Sequence, residues 1–149
     1  MSQPDLLTAT TLLPGVVLER TAKRMKQYFQ KQLQLAQADI TIDQWVVLQE
    51  LQHKDGHSQL DLAKATFKDA PTITRIIDLL CKKGLTERIT DPTDRRRFQI
   101  KLTELGRAKI EEVQPIIKEA RGVAWEGIPK AEIDQMMHTL NQLFENLTK

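Results

Sequence analysis

Along this chain the spacing of apolar residues changes twice, which narrows the folds open to it more than any other feature. Up to Gly84 apolar side chains recur every three or four residues; from Leu85 to Thr103 they alternate on either side of a turn-rich DPTDRR; beyond Thr103 the helical spacing returns. The pattern predicts helices, then one β-hairpin, then helices again. A length of 149 residues suits about one domain and is enough to bury a core without disulfides. No apolar run approaches the ~18 residues of a membrane span, so a membrane protein is excluded and no membrane partner is expected. The amino-terminal MSQPDLLTATTLLPG has no basic stretch ahead of an apolar one, and Cys81 is the only cysteine. A cytoplasmic protein is the expectation.

Start and stop signals divide the helical part. A first helix runs from about Pro14 to Ala38, with Val17, Thr21, Met25, Tyr28 and Leu35 on one face. Thr41 and Asp43 announce a second, carrying Trp45, Leu48 and Leu51, which Asp55-Gly56 stops. Ser58 caps a short third helix with Leu60, Leu62, Ala63 and Ala65. Lys68-Asp69 breaks it. Asp69 can then cap a fourth helix with Pro71 in its first turn, an apolar stripe of Ile73, Ile76, Ile77 and Leu80, and Gly84 as its stop. In the hairpin, Phe98, Ile100 and Leu102 share one side. Thr103 opens a helix to about Glu119, with Leu105, Ala108, Val113, Ile116 and Ile117 facing inward and a kink at Pro115. After a break from Gly122 to Pro129, a last helix spaces Ile133, Met136, Met137, Leu140, Leu143, Phe144 and Leu147 at a helical period.

Two short helices joined by a tight turn and followed at once by a basic hairpin make a winged helix-turn-helix, in a chain that is mostly α with a small β wing. Charge falls on the same stretch. Lys64 to Lys109 holds twelve basic and six acidic residues, a charge of +6, whereas the rest of the chain is −4 and the total only +2. A polyanion would meet the middle. The second short helix fits a DNA major groove and the hairpin can reach the backbone or the minor groove. The plainer reading of DPTDRRR is a solvated loop, but three arginines on a turn that needs none for folding count against it.

From its first helix to its last, the sequence resembles the MarR (multiple antibiotic resistance regulator) family of winged-helix transcription regulators. The resemblance rests on LA at 62–63, TITRIIDLLCKKGLTER at 72–88 and DPTDRRRFQIKLTELG at 91–106, with Trp45 where the family often has an aromatic. Phe67 departs from it, standing in the helix-turn-helix turn where a small residue is commoner. The resemblance implies one chain spanning 1–149, with a DNA-binding lobe at 40–103 and dimerisation helices at 10–38 and 104–149 that intertwine in an obligate-type homodimer. It further implies that Asp69 caps the recognition helix while Thr72, Thr74 and Arg75 face double-stranded DNA. Arg75 can donate to guanine O6 and N7 or to a phosphate, and the threonines can bond phosphates or touch a thymine methyl. In the wing, Asp94 would brace the hairpin and Arg96 enter the minor groove, with Arg95 and Arg97 beside them on phosphates or in solvent. A dimeric repressor reading a palindrome, released by a small-molecule effector, is the implied function; Arg24, Met25, Tyr28 and Trp45 are candidates for the effector cleft, or are simply core.

An enzyme is not expected. The sequence has no G-x-S-x-G, no H-E-x-x-H and no phosphate-cradling glycine loop, and no cofactor is implied. His53, Asp55 and His57 cluster at a turn but read as exposed loop rather than a metal site, and Cys81, beside Lys82 and Lys83, reads as structural rather than redox-active. The alternatives are a nonspecific architectural DNA-binding protein and a winged-helix protein-interaction module.

Overall fold

The computed structural model describes residues 9–149. A 3-10 turn, Ala9–Leu12, leads into α1 (Pro14–Leu35), followed by α2 (Ile42–His53), α3 (Gln59–Ala65) and α4 (Ala70–Lys82). Strands β1 (Thr86–Thr90) and β2 (Phe98–Leu102) pair antiparallel before α5 (Glu104–Ala124) and α6 (Lys130–Thr148). The chain is a mostly α winged helix-turn-helix with a two-stranded wing.

Local side chains start the helices. The Thr41 hydroxyl accepts from the Gln44 N–H while the Gln44 side chain accepts from the Thr41 N–H, a reciprocal box that leaves two fewer orphan donors. Ser58, Asp69 and Thr103 accept from the N–H three residues on and so open α3, α4 and α5. Past α3 the chain turns sharply at Phe67, whose φ of +56° is left-handed and lets the Lys68 N–H donate to the Ala63 carbonyl at 2.9 Å. A residue without a bulky Cβ is at ease there, which is the physical reason small residues are common at that turn. The Phe67 ring instead projects into solvent and meets Phe144 of α6 edge-on, their centroids 5.4 Å apart.

The core draws on α1 to α5 and β2, and α6 buries no side chain in it. Ile73, Ile76, Ile77 and Leu80 of α4, the four stripe residues, are all buried with Leu48, Leu51, Leu62, Ile100, Leu102 and Ile110. Pairing of Thr86 with Leu102 and Arg88 with Ile100 sets the wing register. The Ile100 N–H also donates to the His57 carbonyl at 2.7 Å, sewing β2 to the loop before α3. Phe98 lies beyond this seam and is exposed, so the inward side of β2 begins at Ile100.

Several boundaries and faces differ from the sequence reading. Helix α1 ends at Leu35 and buries Phe29 and Leu33, while Leu35 and Thr21 are exposed. In α5 the buried positions are Gly106, Ile110, Val113, Ile117 and Ala120, leaving Leu105 and Ala108 outside. The cause is Gly106. A Cβ there would stand 2.1 Å from the Leu85 carbonyl oxygen, so α5 can approach the end of α4 this closely only with its glycine edge inward. Helix α5 also runs through Pro115 and Gly122 to Ala124, and the true break is shorter, with Gly127 in a left-handed conformation and Pro129 leading into α6.

Charged groups tie α1 to the lobe. Asp43 of α2 takes Lys26 of α1 at 3.0 Å and Lys68 of the helix-turn-helix turn at 2.9 Å. The α1–α2 loop, with Gln37 and Asp39 left-handed, is held by Lys109 on the Ala38 carbonyl and Lys83 on the Asp39 carbonyl. Among the described residues no helix is long and apolar enough to cross a membrane.

Two outcomes follow. Helix propensity alone would favour Gly106→Ala by about 0.5–1 kcal/mol, but the Leu85 carbonyl reverses the sign, so the variant is expected to unfold at lower urea than the parent at the same protein concentration. A raised midpoint would mean that α5 does not sit this close. The second outcome concerns acid. Burial opposes ionisation of Asp43, but hydrogen bonds from Lys68 and Lys26 outweigh it, and Asp69 is held low by hydrogen bonds from the Thr72 side chain and N–H. Both folded values lie below the ordinary 3.8. Their stabilisation is therefore complete above that value and is lost as pH falls through the folded values. Melting temperature should hold down to about pH 5 and drop below about pH 4, and Asp69→Asn, which still caps but cannot ionise, should flatten the drop.

Candidate nucleic-acid interface

Burying one stripe of α4 turns its opposite face outward, where Thr74, Arg75, Asp78, Leu79 and Lys82 are exposed and Thr72 is half-buried. Thr72 is engaged at the helix start, its N–H 2.7 Å from the Asp69 carboxylate and its side chain hydrogen-bonded to the same group. The Thr74 hydroxyl donates to the Ala70 carbonyl at 2.9 Å and accepts from Gln59 at 3.2 Å. Arg75 makes no hydrogen bond or ion pair among the described residues, and its charge helps to hold Asp69 ionised. It is an exposed guanidinium ready for a bidentate acceptor.

At the wing tip the backbone closes through the Arg97 N–H to the Asp94 carbonyl and the Asp91 N–H to the Arg97 carbonyl, each at 3.0 Å. Asp94 sits inside this turn and accepts from the Arg96 N–H at 3.0 Å, with the Arg96 and Arg97 Nε atoms 3.5 and 3.8 Å from its oxygens. Asp91 is a second brace. It accepts from the Thr93 N–H and hydroxyl, which hold its carboxyl below the usual carboxylate range. The sequence reading missed it, although an Asp two residues before a Thr in a turn is the signature of such a local bond. Arg95, Arg96 and Arg97 all project into solvent, and Arg95 has no protein partner among the described residues.

Ten of the twelve basic residues in the middle of the chain fall into two sets. Lys68, Lys83, Arg88, Arg107 and Lys109 are tied to protein oxygens, on Asp43, Asp39, Asp78, Asp55 and Ala38. Arg75, Lys82 and the wing arginines remain exposed on the outer surface of one lobe. That outer surface is what a polyanion would meet.

Other candidates fall elsewhere. Arg24, Met25 and Tyr28 line a cavity of about 680 Å³ between α1 and the turn after α5, where Arg20 and Trp125 join them. Trp45 is buried and borders a neighbouring cavity of about 390 Å³ on the α2 side, which shares Met25. The four residues therefore serve two cavities. Asp55 is spent on the Leu102 and Gly56 N–H groups and Arg107, and His57 is buried with Nε2 3.4 Å from Glu50. Among the described residues no three such side chains gather as a metal site. Cys81 is half-buried, its Sγ 3.3 Å from the Thr86 hydroxyl.

A model of the MarR family matches residues 40–98, from just before α2 to the start of β2. BpsR of Bordetella bronchiseptica, whose DNA binding is regulated by 6-hydroxynicotinic acid, superposes with a TM-score of 0.83 at 29% identity over 91% of this chain and 96% of that one. MepR of S. aureus, solved with DNA, gives 0.80 at 29% identity over 90% and 98%. CouR of Rhodococcus jostii, solved with p-coumaroyl-CoA, gives 0.77 at 28% identity over 87% and 90%. Residues 40–98 thus match the MarR family of winged-helix transcription regulators, and over 87–91% of its length the chain shares the fold of these three solved structures.

Proposed function

We propose that the protein is a homodimeric repressor that binds a palindromic operator and is released by a small molecule. The observation that carries this reading is the outer surface of the lobe, where an unpaired Arg75 on α4 and three exposed arginines on a braced wing lie on one rigid unit. Helix α4 enters the major groove with Arg75 on guanine O6 and N7, and Arg96 enters the flanking minor groove while Arg95 and Arg97 take phosphates. Asp69 holds the start of α4, and Asp94 braces the wing.

Dimerisation accounts for the arms, residues 10–38 and 104–149. No side chain of α6 is buried, and Met136, Met137, Leu143, Phe144 and Leu147 are exposed, as are Leu12, Leu13, Val16 and Leu18 at the other end. So much unburied apolar surface at helical spacing suits a partner helix better than water. A twofold dimer places its two recognition helices about one DNA turn apart, ~10 base pairs. The cavity holding Arg24, Met25 and Tyr28, with Arg20 at its edge and no ion pair to either arginine among the described residues, suits an anionic aromatic effector. BpsR, regulated by 6-hydroxynicotinic acid, and CouR, bound to p-coumaroyl-CoA, support that part of the reading. Release requires the ligand to favour a subunit spacing that no longer fits the operator.

Selection of duplexes from a random pool tests the reading. A palindromic motif preferred by ~10³-fold or more over random DNA supports it; salt-sensitive binding without a motif makes the protein architectural, and no binding makes it a protein-interaction module. On the selected duplex, Arg96→Ala should weaken binding more than Lys54→Ala, and Arg75→Ala should cost about 1–3 kcal/mol on the best site. Equal losses at Arg96 and Lys54 would remove the wing from the interface. Sedimentation equilibrium should show a dimer that Met137→Glu with Leu143→Glu converts to monomer.

A further inference from the structure

Arg88 is the arginine within the wing strands, and although solvent reaches it, its side chain lies against the lobe. It opposes Ile100, a fully buried residue, and directly opposed residues share a face of the hairpin, so its side chain is directed over the lobe rather than toward a groove. Its guanidinium touches two other elements. Nη2 donates to Asp78 of α4 at 2.5 Å and Nε donates to the Gln59 Oε1 of α3 at 3.2 Å. A guanidinium has donors only, so Gln59 must turn its carbonyl oxygen to Arg88 and its amide nitrogen the other way. That nitrogen donates to the Thr74 hydroxyl oxygen at 3.2 Å, and Thr74, now an acceptor on that side, gives its proton to the Ala70 carbonyl at 2.9 Å. The hydrogen bonds run in one direction, from β1 through α3 to the exposed face of α4.

We propose that Arg88 and Gln59 are positioning residues for DNA reading, joining wing and recognition helix into one unit and fixing Thr74 as an acceptor. This rests on the reading of α4 as the recognition helix. Two consequences distinguish the relay from ordinary packing. The charge of Arg88 is already met by Asp78, so it is not available as a phosphate contact. With its proton committed and one lone pair filled, Thr74 offers DNA one remaining lone pair and its methyl group. An A·T pair matches both, through the adenine N6 amine and the thymine C5 methyl, whereas a G·C pair offers a donor at cytosine N4 but no methyl group. Thr74 thus selects an A·T pair in each half-site.

The test repeats the duplex selection with the parent protein, Arg88→Met, Arg88→Lys and Gln59→Leu, and measures affinity for the parent motif and for random DNA across a salt series. Arg88→Met should lower the preference for the motif over random DNA by tenfold or more, leaving random-DNA affinity and the salt slope unchanged. Gln59→Leu should lose selectivity at one A·T pair per half-site and keep the rest of the motif. Arg88→Lys, which can keep the ion pair but not both bonds, should resemble Gln59→Leu. An equal loss on both duplexes, with the salt slope reduced by about one per subunit, would make Arg88 a phosphate contact and overturn the proposal. So would an unaltered motif in Gln59→Leu, which removes two surface hydrogen bonds and decides the matter should Arg88→Met fail to fold. If the parent itself selects no motif, the recognition-helix reading fails first, and that is seen before any variant is compared.

Discussion

Everything the lobe presents outward depends on how α4 is seated. Its four-residue stripe is buried in the same core as α2, α3, the wing and α5. Each such side chain contributes about 1.5–3 kcal/mol of burial, so the helix cannot rotate about its axis without exposing several of them at once. Because a helix has two sides, fixing the inner one fixes the outer one. Arg75 is held outward by isoleucines that never touch a ligand. The wing is fixed by the same seat, through Ile100 and Leu102 on its inner face and through the His57 carbonyl that takes the Ile100 N–H.

Charge is used in two ways on this scaffold. Lys26 and Lys68 on Asp43, and Lys83 and Lys109 on the α1–α2 loop, hold the long arm helix against the lobe; Lys68, Lys83 and Lys109 are half-buried, where screening is weak, while Lys26 is exposed. The exposed arginines do no such work, and a net excess of +6 over residues 64–109 understates how sharply their charge is separated from the internal pairs. A change in the arm would reach the lobe through the lysine clamps, and the Phe67–Phe144 contact places the far end of α6 against the helix-turn-helix turn as well. Arm and lobe are thus in direct contact, as the proposed release by a ligand bound near α1 would require.

Periodicity made most of the fold legible. The stripe of α4, the caps Thr41, Ser58, Asp69 and Thr103, and both strands stand where spacing and turn chemistry placed them. What escaped depends on contacts between distant segments. Leu105 and Ala108 looked inward because apolar residues usually are, but the close approach of Gly106 to Leu85 turns that face away. The left-handed φ at Phe67 and the relay from Arg88 to Thr74 were equally hidden, since neither a backbone angle nor a partner fifteen residues away leaves a periodic trace. One signal was available: in an alternating strand, Arg88 shares its side with Thr86, a buried position, which marks it for an internal partner. Trp45 shows the reverse limit, since a large aromatic on a core face could not be told from a cleft residue by sequence, and it borders a different cavity from Arg24 and Tyr28.

In the proposed complex two copies of this lobe read DNA together, each through helix and wing as one unit. A hydroxyl-radical footprint of the protein on a selected duplex tests it most directly. The expected pattern is symmetric about a dyad, with two protected tracts on each strand about one helical turn apart, ~10 base pairs, and outer protections where the wings lie. A single protected half-site, or uniform protection along the whole duplex, would contradict it.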